Sequence, residues 1–246
     1  MDNQELEKQV KQISEKMTDS EAIDFAVNLY FGKTFKFRDN QRDTILDILD
    51  FYNESPDGLY LLDAPTGSGK SIIAMIVSAV LSIRKKTGYI LASDLSLQDQ
   101  YEKDLEYNFP YWGSIKGVNN YHCDVNHEKY NLGDCKIKGL NSFQTAELPC
   151  FKTCGYLSNR LKAKDSSVSL LNYSYWLIQR NYVAASMESG QEPFKKRDFS
   201  ICDEADVLTS NLHISLTQKQ ELLEIVSTVN RLEKIYDYLT AEIDTL

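Results

Sequence analysis

Two short stretches carry residues that could act on a phosphate anhydride. "APTGSGKS", Ala64 to Ser71, has the spacing of a phosphate-binding loop, with alanine in place of the first glycine. Backbone N–H groups of such a loop and of the helix after it converge on phosphate oxygens. "ICDEAD", residues 201–206, brings two adjacent carboxylates to the end of an apolar run. Together the stretches predict a site for a nucleoside triphosphate and a divalent cation.

Each polar residue of these stretches has an expected part in that chemistry. Lys70 is expected to contact the β- and γ-phosphates, and the Ser71 hydroxyl to ligate magnesium. Asp203 is expected to hold the magnesium, and Glu204 to orient or deprotonate the attacking water. We therefore predict ATP and Mg²⁺ as cofactors, with Lys70, Asp203 and Glu204 as catalytic residues. The predicted nucleotide-binding residues of the loop are Thr66, Gly67, Ser68, Gly69, Lys70 and Ser71.

Four of the five cysteines lie between the two stretches. They are Cys123, Cys135, Cys150 and Cys154, with 11, 14 and 3 residues between them. This is not the paired spacing of a zinc ribbon, yet four thiols in a polar insertion favour a metal over free cysteines. Thiolates suit iron–sulfur and zinc centres alike, so both stay open. Residues 113–165 carry eight Lys/Arg against five Asp/Glu in a chain of net charge −9, which permits a phosphate-binding face.

Strands and helices that could position these residues alternate along the chain. "GLYLLDAPTGSGKSIIAMIVSAVLSIRKK" predicts a strand, a turn and a helix, while "TGYILAS", "SVSLLNY" and "FSICDEAD" predict further strands. Helical patterns occupy 3–17, a segment capped by Ser20, 41–52, "LSLQDQYEKDLEY", "SYWLIQRNYVAAS" and the chain from about 215. Residues 113–165 read as irregular. The alternation predicts an α/β fold with a parallel sheet.

The sequence gives no sign of a membrane segment. No window approaches about 18 uncharged apolar residues, so no transmembrane helix is predicted. The start, "MDNQELEKQVKQ", lacks the apolar stretch of a signal peptide. We expect a cytoplasmic protein, with the nucleus as the alternative. The last helical pattern reaches Leu246 without a glycine or proline stop, so we expect the intact protein to continue.

Taken in order, the motifs resemble the core of helicase superfamily 2. "FKFRDNQ", Phe35 to Gln41, is similar to the adenine-reading motif of that group, which implies nucleotide contacts from Arg38 and Gln41. "ASDLSLQDQ", residues 92–100, resembles the segment that contacts the single-stranded nucleic acid backbone in such motors. The resemblance implies a RecA-like P-loop domain.

A narrower resemblance involves the cysteines. "KGVNNYHC", residues 116–123, is similar to the "KGxxNYxC" segment of the DinG/XPD family of DNA helicases, and "LLNYSYWL" resembles that family's "vvNhxlL" segment. That family carries a four-cysteine 4Fe–4S domain between the P-loop and the acidic motif. The resemblance implies that the four cysteines bind such a cluster in a small wedge domain. It also implies ATP-driven translocation on single-stranded or forked DNA.

The same resemblance implies a domain organisation. Residues 1–112 would be N-terminal helices and the first part of the motor domain, and 113–165 the four-cysteine iron–sulfur insertion. Residues 166–210 would complete the motor domain, and the helical segment 211–246 would begin an arch-like domain. A second motor domain is not found in this sequence, so we expect it from the rest of the protein. The chain alone should then be a weak ATPase.

One residue departs from the DinG/XPD pattern and keeps two alternatives open. That family has DEAH, whereas Asp206 makes the motif DEAD, as in the DEAD-type RNA helicases. The first alternative is therefore an RNA helicase of that type with an unrelated metal insertion. The second is a zinc-stabilised nucleotide-binding module that regulates a partner. RNA-stimulated hydrolysis would favour the first, and zinc without nucleic-acid-stimulated hydrolysis the second.

Overall fold

The computed structural model describes residues 17–109, 112–140, 142–179 and 194–207. The chain divides into two compact units, Met1–Glu204 and Ala205–Leu246. In the first unit, the helices are α1 (Asp19–Tyr30), α2 (Gln41–Glu54), α3 (Lys70–Ile83), α4 (Leu95–Asn108), α5 (Asp134–Ile137), α6 (Ser142–Ala146), α7 (Gly155–Asp165) and α8 (Tyr173–Ile178). The strands are β1 (Gly88–Ala92), β2 (Gly113–Ser114), β3 (Val168–Asn172) and β4 (Phe199–Cys202). The described part of the second unit is a 3₁₀ turn, Ala205–Val207.

The described strands form one parallel sheet in the order β2-β3-β1-β4. Every residue of β1 and β3 is buried, as expected for parallel strands that are covered on both faces. The register pairs Leu91 with Cys202, and Ala92 with Asn172. β1, β3 and β4 therefore end at the same edge of the sheet. The predicted parallel α/β sheet is confirmed.

The core centres on α3, whose residues from Ile73 to Leu81 are all buried. The helix "KSIIAMIVSAVLSI" is rich in apolar residues on every side, which suits its position: α1 and α2 pack against it and it contacts β1. α1 begins differently from the prediction. Thr18, not Ser20, is the N-cap, and it forms a capping box with Glu21. Glu21 lies at N3, where its carboxylate returns the hydrogen bond to the Thr18 N–H.

The segment before the P-loop does not form the predicted strand. Residues 58–69 contain no helix or strand, and the side chains of Leu59 and Leu61 are 80% and 78% exposed. "LYLLDA" has the apolar composition of a buried strand, but a strand also needs a hydrogen-bonding partner. Among the described residues, β4 pairs with β1 and with no strand on its other side. The prediction of a strand here is wrong.

Residues 113–165 are more regular than their sequence suggests. They end in α7, an 11-residue helix with Lys162 and Lys164 in its last turn, where positive charge favours a helix. The two ends of the segment meet at Gly113. A Cβ on this glycine would lie 2.4 Å from the Ala163 Cα, so only glycine lets β2 and α7 approach this closely. The prediction of a wholly irregular segment is wrong for α7.

Several predicted helices lie outside the described residues. These are the helix at 3–17 apart from Met17, the helix from about 215, the end of the "SYWLIQRNYVAAS" helix after Gln179, and the arch-like segment 211–246. Of the helices that the structure does describe, none is both long and apolar enough to span a bilayer.

Candidate nucleotide site and cysteine cavity

The turn of the P-loop contains two glycines whose backbone lies in the left-handed region. Gly67 and Gly69 have φ of 82° and 86°, which residues with a Cβ adopt at a cost. Gly69 precedes α3, so the loop delivers its backbone to the N-terminus of a 14-residue helix. The Lys70 ammonium donates to the Ala64 carbonyl at 2.8 Å and to the Pro65 carbonyl at 3.4 Å. The lysine thus lies across the loop.

The upstream motif contacts the loop directly. Gln41 is buried, and its Nε2 donates to the Ser68 carbonyl at 3.1 Å while its Oε1 accepts from the Arg38 N–H at 2.8 Å. The Arg38 guanidinium donates to the Gly67 carbonyl. Both predicted nucleotide-binding residues therefore lie at the P-loop. Their polar groups bind the loop backbone.

Ser68 supplies an unsatisfied polar atom at the bend of the loop. Its Oγ is buried and has no hydrogen-bond partner among the described residues. An unpaired buried hydroxyl costs free energy, and such groups at a site point to a missing ligand. Thr66 and Gly67 form the adjoining turn. The loop therefore has one donor ready for a phosphate oxygen.

Asp203 joins the acidic motif to the P-loop. It is 9% exposed, and the Ser71 hydroxyl donates to its Oδ2 at 3.5 Å across 132 residues of sequence. The Tyr101 hydroxyl donates to the same oxygen at 2.7 Å, and the Tyr173 hydroxyl to the Asp203 carbonyl at 2.8 Å. The pKa of Tyr101 is raised, mainly because the side chain is buried and also because the Asp203 charge lies beside it. The two oxygens predicted to hold Mg²⁺, from Ser71 and Asp203, are thus neighbours.

Glu204 lies next to Asp203 and is exposed. Its φ of 55° is uncommon for a residue other than glycine. The Ser93 hydroxyl donates to its Oε2 at 2.5 Å. Sequence reasoning missed Ser93 and Tyr101 as site residues. Ser93 had a usable signal, since it directly follows the strand that pairs with the acidic-motif strand.

Segment 92–100 contains both buried side chains and side chains exposed to solvent. Gln98 is fully buried, donates to the Ser114 hydroxyl and the Ile115 carbonyl, and accepts from the Asn172 amide at 2.9 Å. Its role is to tie α4 to the sheet. Exposed side chains of this segment, which could meet a nucleic acid backbone, are Asp94, Leu95, Ser96, Asp99 and Gln100.

The four predicted metal-binding cysteines line one cavity of about 270 Å³. Cys123 lies at a turn, Cys135 in α5, Cys150 before Cys154, and Cys154 at the N-cap of α7. Other side chains that line the cavity include Asp124, Tyr130, Thr145, Leu148 and Phe151. The spacing of these cysteines in the sequence did not show whether their thiols lie close together. The fold places all four at one cavity.

Backbone amides are directed at two of the sulfurs. Burial alone would raise the pKa of Cys123, but N–H groups of Asn126, Val125 and Asp134 donate to the sulfur and lower it. Burial raises the pKa of Cys154 although amides of Leu157 and Tyr156 also donate to it. Burial also raises the pKa of Cys135. N–H donors to sulfur favour the thiolate, the form that binds metals.

The arrangement of the thiols limits what they could hold. Within the described ranges, no group of three or more His, Cys, Asp or Glu side chains is arranged so that it could hold a metal ion. All five cysteines are free, so no disulfide accounts for their proximity.

Comparison with protein families matches residues 34–241 to the family described as type III restriction enzyme, res subunit (ResIII). The matched range contains the P-loop, the acidic motif and the four cysteines. The chain belongs to this family. Comparison with curated proteins gives no match.

ResIII membership confirms the broad predictions of fold and chemistry. The family carries a helicase-like domain of superfamily 2, an ATPase-type enzyme that uses ATP and Mg²⁺. The parallel sheet and the P-loop of this ResIII chain agree with a RecA-like domain. The narrower likeness to the DinG/XPD helicases stays a prediction.

Proposed function

We propose that this chain is part of an ATP-dependent DNA helicase that moves along single-stranded DNA and holds a 4Fe–4S cluster. The observation that carries the proposal is the cavity shared by Cys123, Cys135, Cys150 and Cys154. A superfamily 2 ATPase needs no thiols for hydrolysis, so a cavity lined by four of them calls for its own explanation.

The chemistry of the cavity fits a cluster. It offers four thiols, the ligand set of a 4Fe–4S cluster. Thiolates of a cubane cluster each bind a different iron, so they surround a volume. Backbone N–H groups at Cys123 and Cys154 supply the hydrogen bonds that stabilise cluster thiolates. The cluster would be structural and hold the insertion in shape.

The nucleotide site supports hydrolysis by the residues that the sequence suggested. Lys70 would exchange the Ala64 and Pro65 carbonyls for phosphate oxygens, and the Ser68 hydroxyl would find its missing partner. Ser71 and Asp203 would hold Mg²⁺, which neutralises charge on the phosphates when bound. Glu204 would accept a proton from the attacking water. Arg38 and Gln41 would keep the loop in place or turn toward the adenine.

The charge of the insertion supports a nucleic acid partner. Its exposed lysines are Lys129, Lys136, Lys138, Lys152 and Lys162. Lys138 pairs with Asp134 at 2.7 Å and Lys136 lies over the Tyr130 ring at 5.4 Å, and the segment carries a net positive charge. Phosphate backbones attract such surfaces. Lys116 is different, because it pairs with Asp99 and Glu102 of α4 and so joins the insertion to the motor.

The proposal includes the predicted domain organisation. Residues 1–112 and 166–210 would form the motor domain, 113–165 the wedge, and 211–246 the start of an arch-like domain. A second motor domain from the rest of the protein would close the nucleotide cleft. Five cysteines without a disulfide support a reducing compartment, the cytoplasm or the nucleus.

The test is metal content and nucleic-acid-stimulated hydrolysis on one preparation. Full-length protein would be purified without oxygen and assayed for iron, zinc, acid-labile sulfide and visible absorbance. About four irons and four sulfides per chain are expected for four-cysteine ligation. ATP hydrolysis would be measured alone, with single-stranded DNA and with RNA of matched sequence. Forked DNA would test strand separation.

The outcomes separate the three functions. Iron, sulfide and DNA-stimulated hydrolysis support the proposal. Stimulation by RNA but not by DNA would replace it with an RNA helicase. One zinc per chain without stimulation by either nucleic acid would replace it with a regulatory module.

A further inference from the structure

Two tyrosines that belong to neither the P-loop nor the acidic motif bind Asp203. The Tyr101 hydroxyl donates to Asp203 Oδ2 at 2.7 Å, and the Tyr173 hydroxyl donates to the Asp203 backbone carbonyl at 2.8 Å. The Glu204 N–H donates to Asp203 Oδ1 at 3.0 Å. The Ser71 hydroxyl lies farther from the carboxylate, at 3.5 Å from Oδ2. Tyr101 therefore makes the shorter of the two described side-chain contacts to this carboxylate.

The fold delivers Tyr101 to Asp203 on the buried face of α4. Gln98 and Tyr101 are three residues apart, so they lie on the same face of the helix, and both are buried. The Asn172 amide at the end of β3 donates to Gln98, and Tyr101 reaches Asp203 just beyond the end of β4. One face of α4 therefore contacts the ends of the two strands that flank β1.

The surroundings of Tyr101 restrict its hydroxyl to this place. The ring belongs to the apolar core cluster, which also contains Ile73 and Ile76 of α3. Side chains in a close-packed core have little freedom to change position. Ser71 lies in the first turn of the same α3 and contacts the same oxygen of Asp203. The core therefore fixes Tyr101 relative to the helix that carries Ser71.

We propose that Tyr101 is a positioning residue for magnesium, whose hydroxyl holds Asp203 Oδ2 beside the Ser71 hydroxyl. When Ser71 binds the cation, its contact with Oδ2 is given up, and Tyr101 is the described side chain that still orients this oxygen. Groups that hydrogen-bond a metal ligand orient it, and their loss typically weakens metal binding about 10-fold to 100-fold. The inference rests on the proposed assignment of Ser71 and Asp203 to Mg²⁺ and deepens it.

The first test measures binding of Mn²⁺, a paramagnetic substitute for Mg²⁺, to the full-length protein with ADP. Electron paramagnetic resonance of the unbound ion gives the dissociation constant without any hydrolysis. In Tyr101→Phe we expect the Mn²⁺ dissociation constant to rise about 10-fold or more. ADP affinity in EDTA should stay near that of wild type. A role in packing alone would leave the Mn²⁺ constant unchanged, because phenylalanine keeps the ring.

The second test uses the dependence of ATP hydrolysis on Mg²⁺ concentration. Tyr101→Phe keeps both predicted ligands, so excess Mg²⁺ should restore the rate. We expect the Mg²⁺ concentration for half-maximal rate to rise about 10-fold, while kcat at saturating Mg²⁺ stays within about twofold of wild type. A loss of kcat that excess Mg²⁺ does not restore would overturn the proposed role.

Matched variants assign the effect to Asp203 Oδ2. Tyr175→Phe also removes a buried tyrosine hydroxyl, but this one accepts from the Arg160 guanidinium at 3.2 Å, so Mn²⁺ affinity should not change. Tyr173→Phe removes the contact to the Asp203 backbone and should weaken Mn²⁺ binding less than Tyr101→Phe does. Asp203→Asn should lose most of the bound Mn²⁺, which verifies that the measured ion lies at this site.

The outcomes distinguish this inference from the proposed function. Equal Mn²⁺ affinity in wild type and Tyr101→Phe would overturn the role of Tyr101 while the nucleotide site stands. Equal losses in Tyr101→Phe and Tyr175→Phe would overturn it as well, because the loss of any buried hydroxyl would then suffice. Wild-type Mn²⁺ affinity in Asp203→Asn would overturn both the role of Tyr101 and the assignment of Asp203 to magnesium. The expected Mn²⁺ results without DNA-stimulated hydrolysis would support the role of Tyr101 and contradict the proposed helicase.

Discussion

The nucleotide site and the cysteine cavity lie in the same unit of the chain but are held in different ways. At the nucleotide site, Asp203 follows a strand of a buried sheet and accepts hydrogen bonds from Ser71 and Tyr101. At the cavity, the walls are turns and short helices, and the apolar side chain of Val125, which lines it, is 54% exposed. The first site is stabilised by the fold around it. The second has fewer such supports, and under the proposed function a bound cluster would add to them.

This difference has a physical origin in burial. The sheet and α3 bury long apolar runs, which contribute about 25 cal/mol per Å² of apolar surface removed from water. α5 has four residues and α6 has five, too few to form stable helices without other support. A bound cluster with four thiolate ligands would provide that support. Loss of one site should therefore leave the other nearly intact, and the following changes test this.

Lys70→Ala should have the largest effect. It removes the ammonium expected at the β- and γ-phosphates, so ATP affinity should fall by about 10-fold to 100-fold, the worth of about 1.5–3 kcal/mol for hydrogen bonds to a charged group. Isothermal titration would measure the affinity, with Lys86→Ala, an exposed lysine after α3, as the control. Metal content should not change. Unaltered ATP affinity would contradict the P-loop assignment.

Cys123→Ser should affect the other site. Loss of one thiolate should strip the metal and unfold mainly residues 113–165, because that segment has little other support. Metal analysis and hydrogen exchange would detect this, while ATP affinity stays within about twofold of wild type by the additivity of distant sites. Cys202→Ser, outside the cavity, is the control. Collapse of the whole protein would mean that the cysteines stabilise the entire core.

Arg197→Met tests the contact between the two regions. The Arg197 guanidinium donates to the carbonyls of Gly88 and Ser167, and to those of Ala163 and Lys164 at the end of α7. It also lies over the Tyr89 ring at 4.6 Å. Methionine keeps an apolar stem but removes the hydrogen bonds of the guanidinium. The Ser167 and Ala163 carbonyls keep other donors, the Gly88 N–H and the Ser169 hydroxyl. Stability should therefore fall by about 1–3 kcal/mol, as for the loss of hydrogen bonds to a charged group.

Urea denaturation would measure that loss, with Lys196→Met, an exposed neighbour, as the control. Hydrogen exchange in α7 and β1 should rise together. If hydrogen exchange rose in α7 alone, Arg197 would stabilise only the end of α7 and not its contact with the sheet.

Asp198→Asn should have the smallest effect. The Thr87 N–H and hydroxyl donate to Asp198 Oδ2 at 2.7 and 3.1 Å, and the backbone hydrogen bond lowers the pKa of this carboxyl. Because the pKa of this carboxyl is lower in the fold than in the unfolded chain, its charged form stabilises the fold above the unfolded pKa of about 3.9. That contribution is lost as pH falls through the lowered pKa of the folded state. The side chain is exposed, so the contribution at neutral pH should stay under about 1 kcal/mol.

Denaturation at pH 7 and pH 3 would measure this contribution. The difference in stability between wild type and Asp198→Asn should shrink toward pH 3. A difference that grew on acidification would mean that the carboxyl is better stabilised when protonated.

Local patterns predicted the parts of the fold that depend on neighbouring residues. The apolar runs of β1, β3 and β4 and the periodic helices α2, α3 and α4 lie where the sequence indicated. The run at 58–63 has similar composition, yet it pairs with no described strand. Composition reports how well a segment suits burial, whereas a strand also requires a partner that the rest of the fold supplies.

The sequence by itself determined the chemistry that the chain can offer: a phosphate loop, two adjacent carboxylates and four thiols between them. The tertiary structure decided which of these groups meet. It placed Ser71 beside Asp203, Ser93 against Glu204 and four separated thiols around one space. The reason is that residue types and short spacings are local properties. Contacts across more than a hundred residues depend on strand order and register, which arise only when the whole sheet packs.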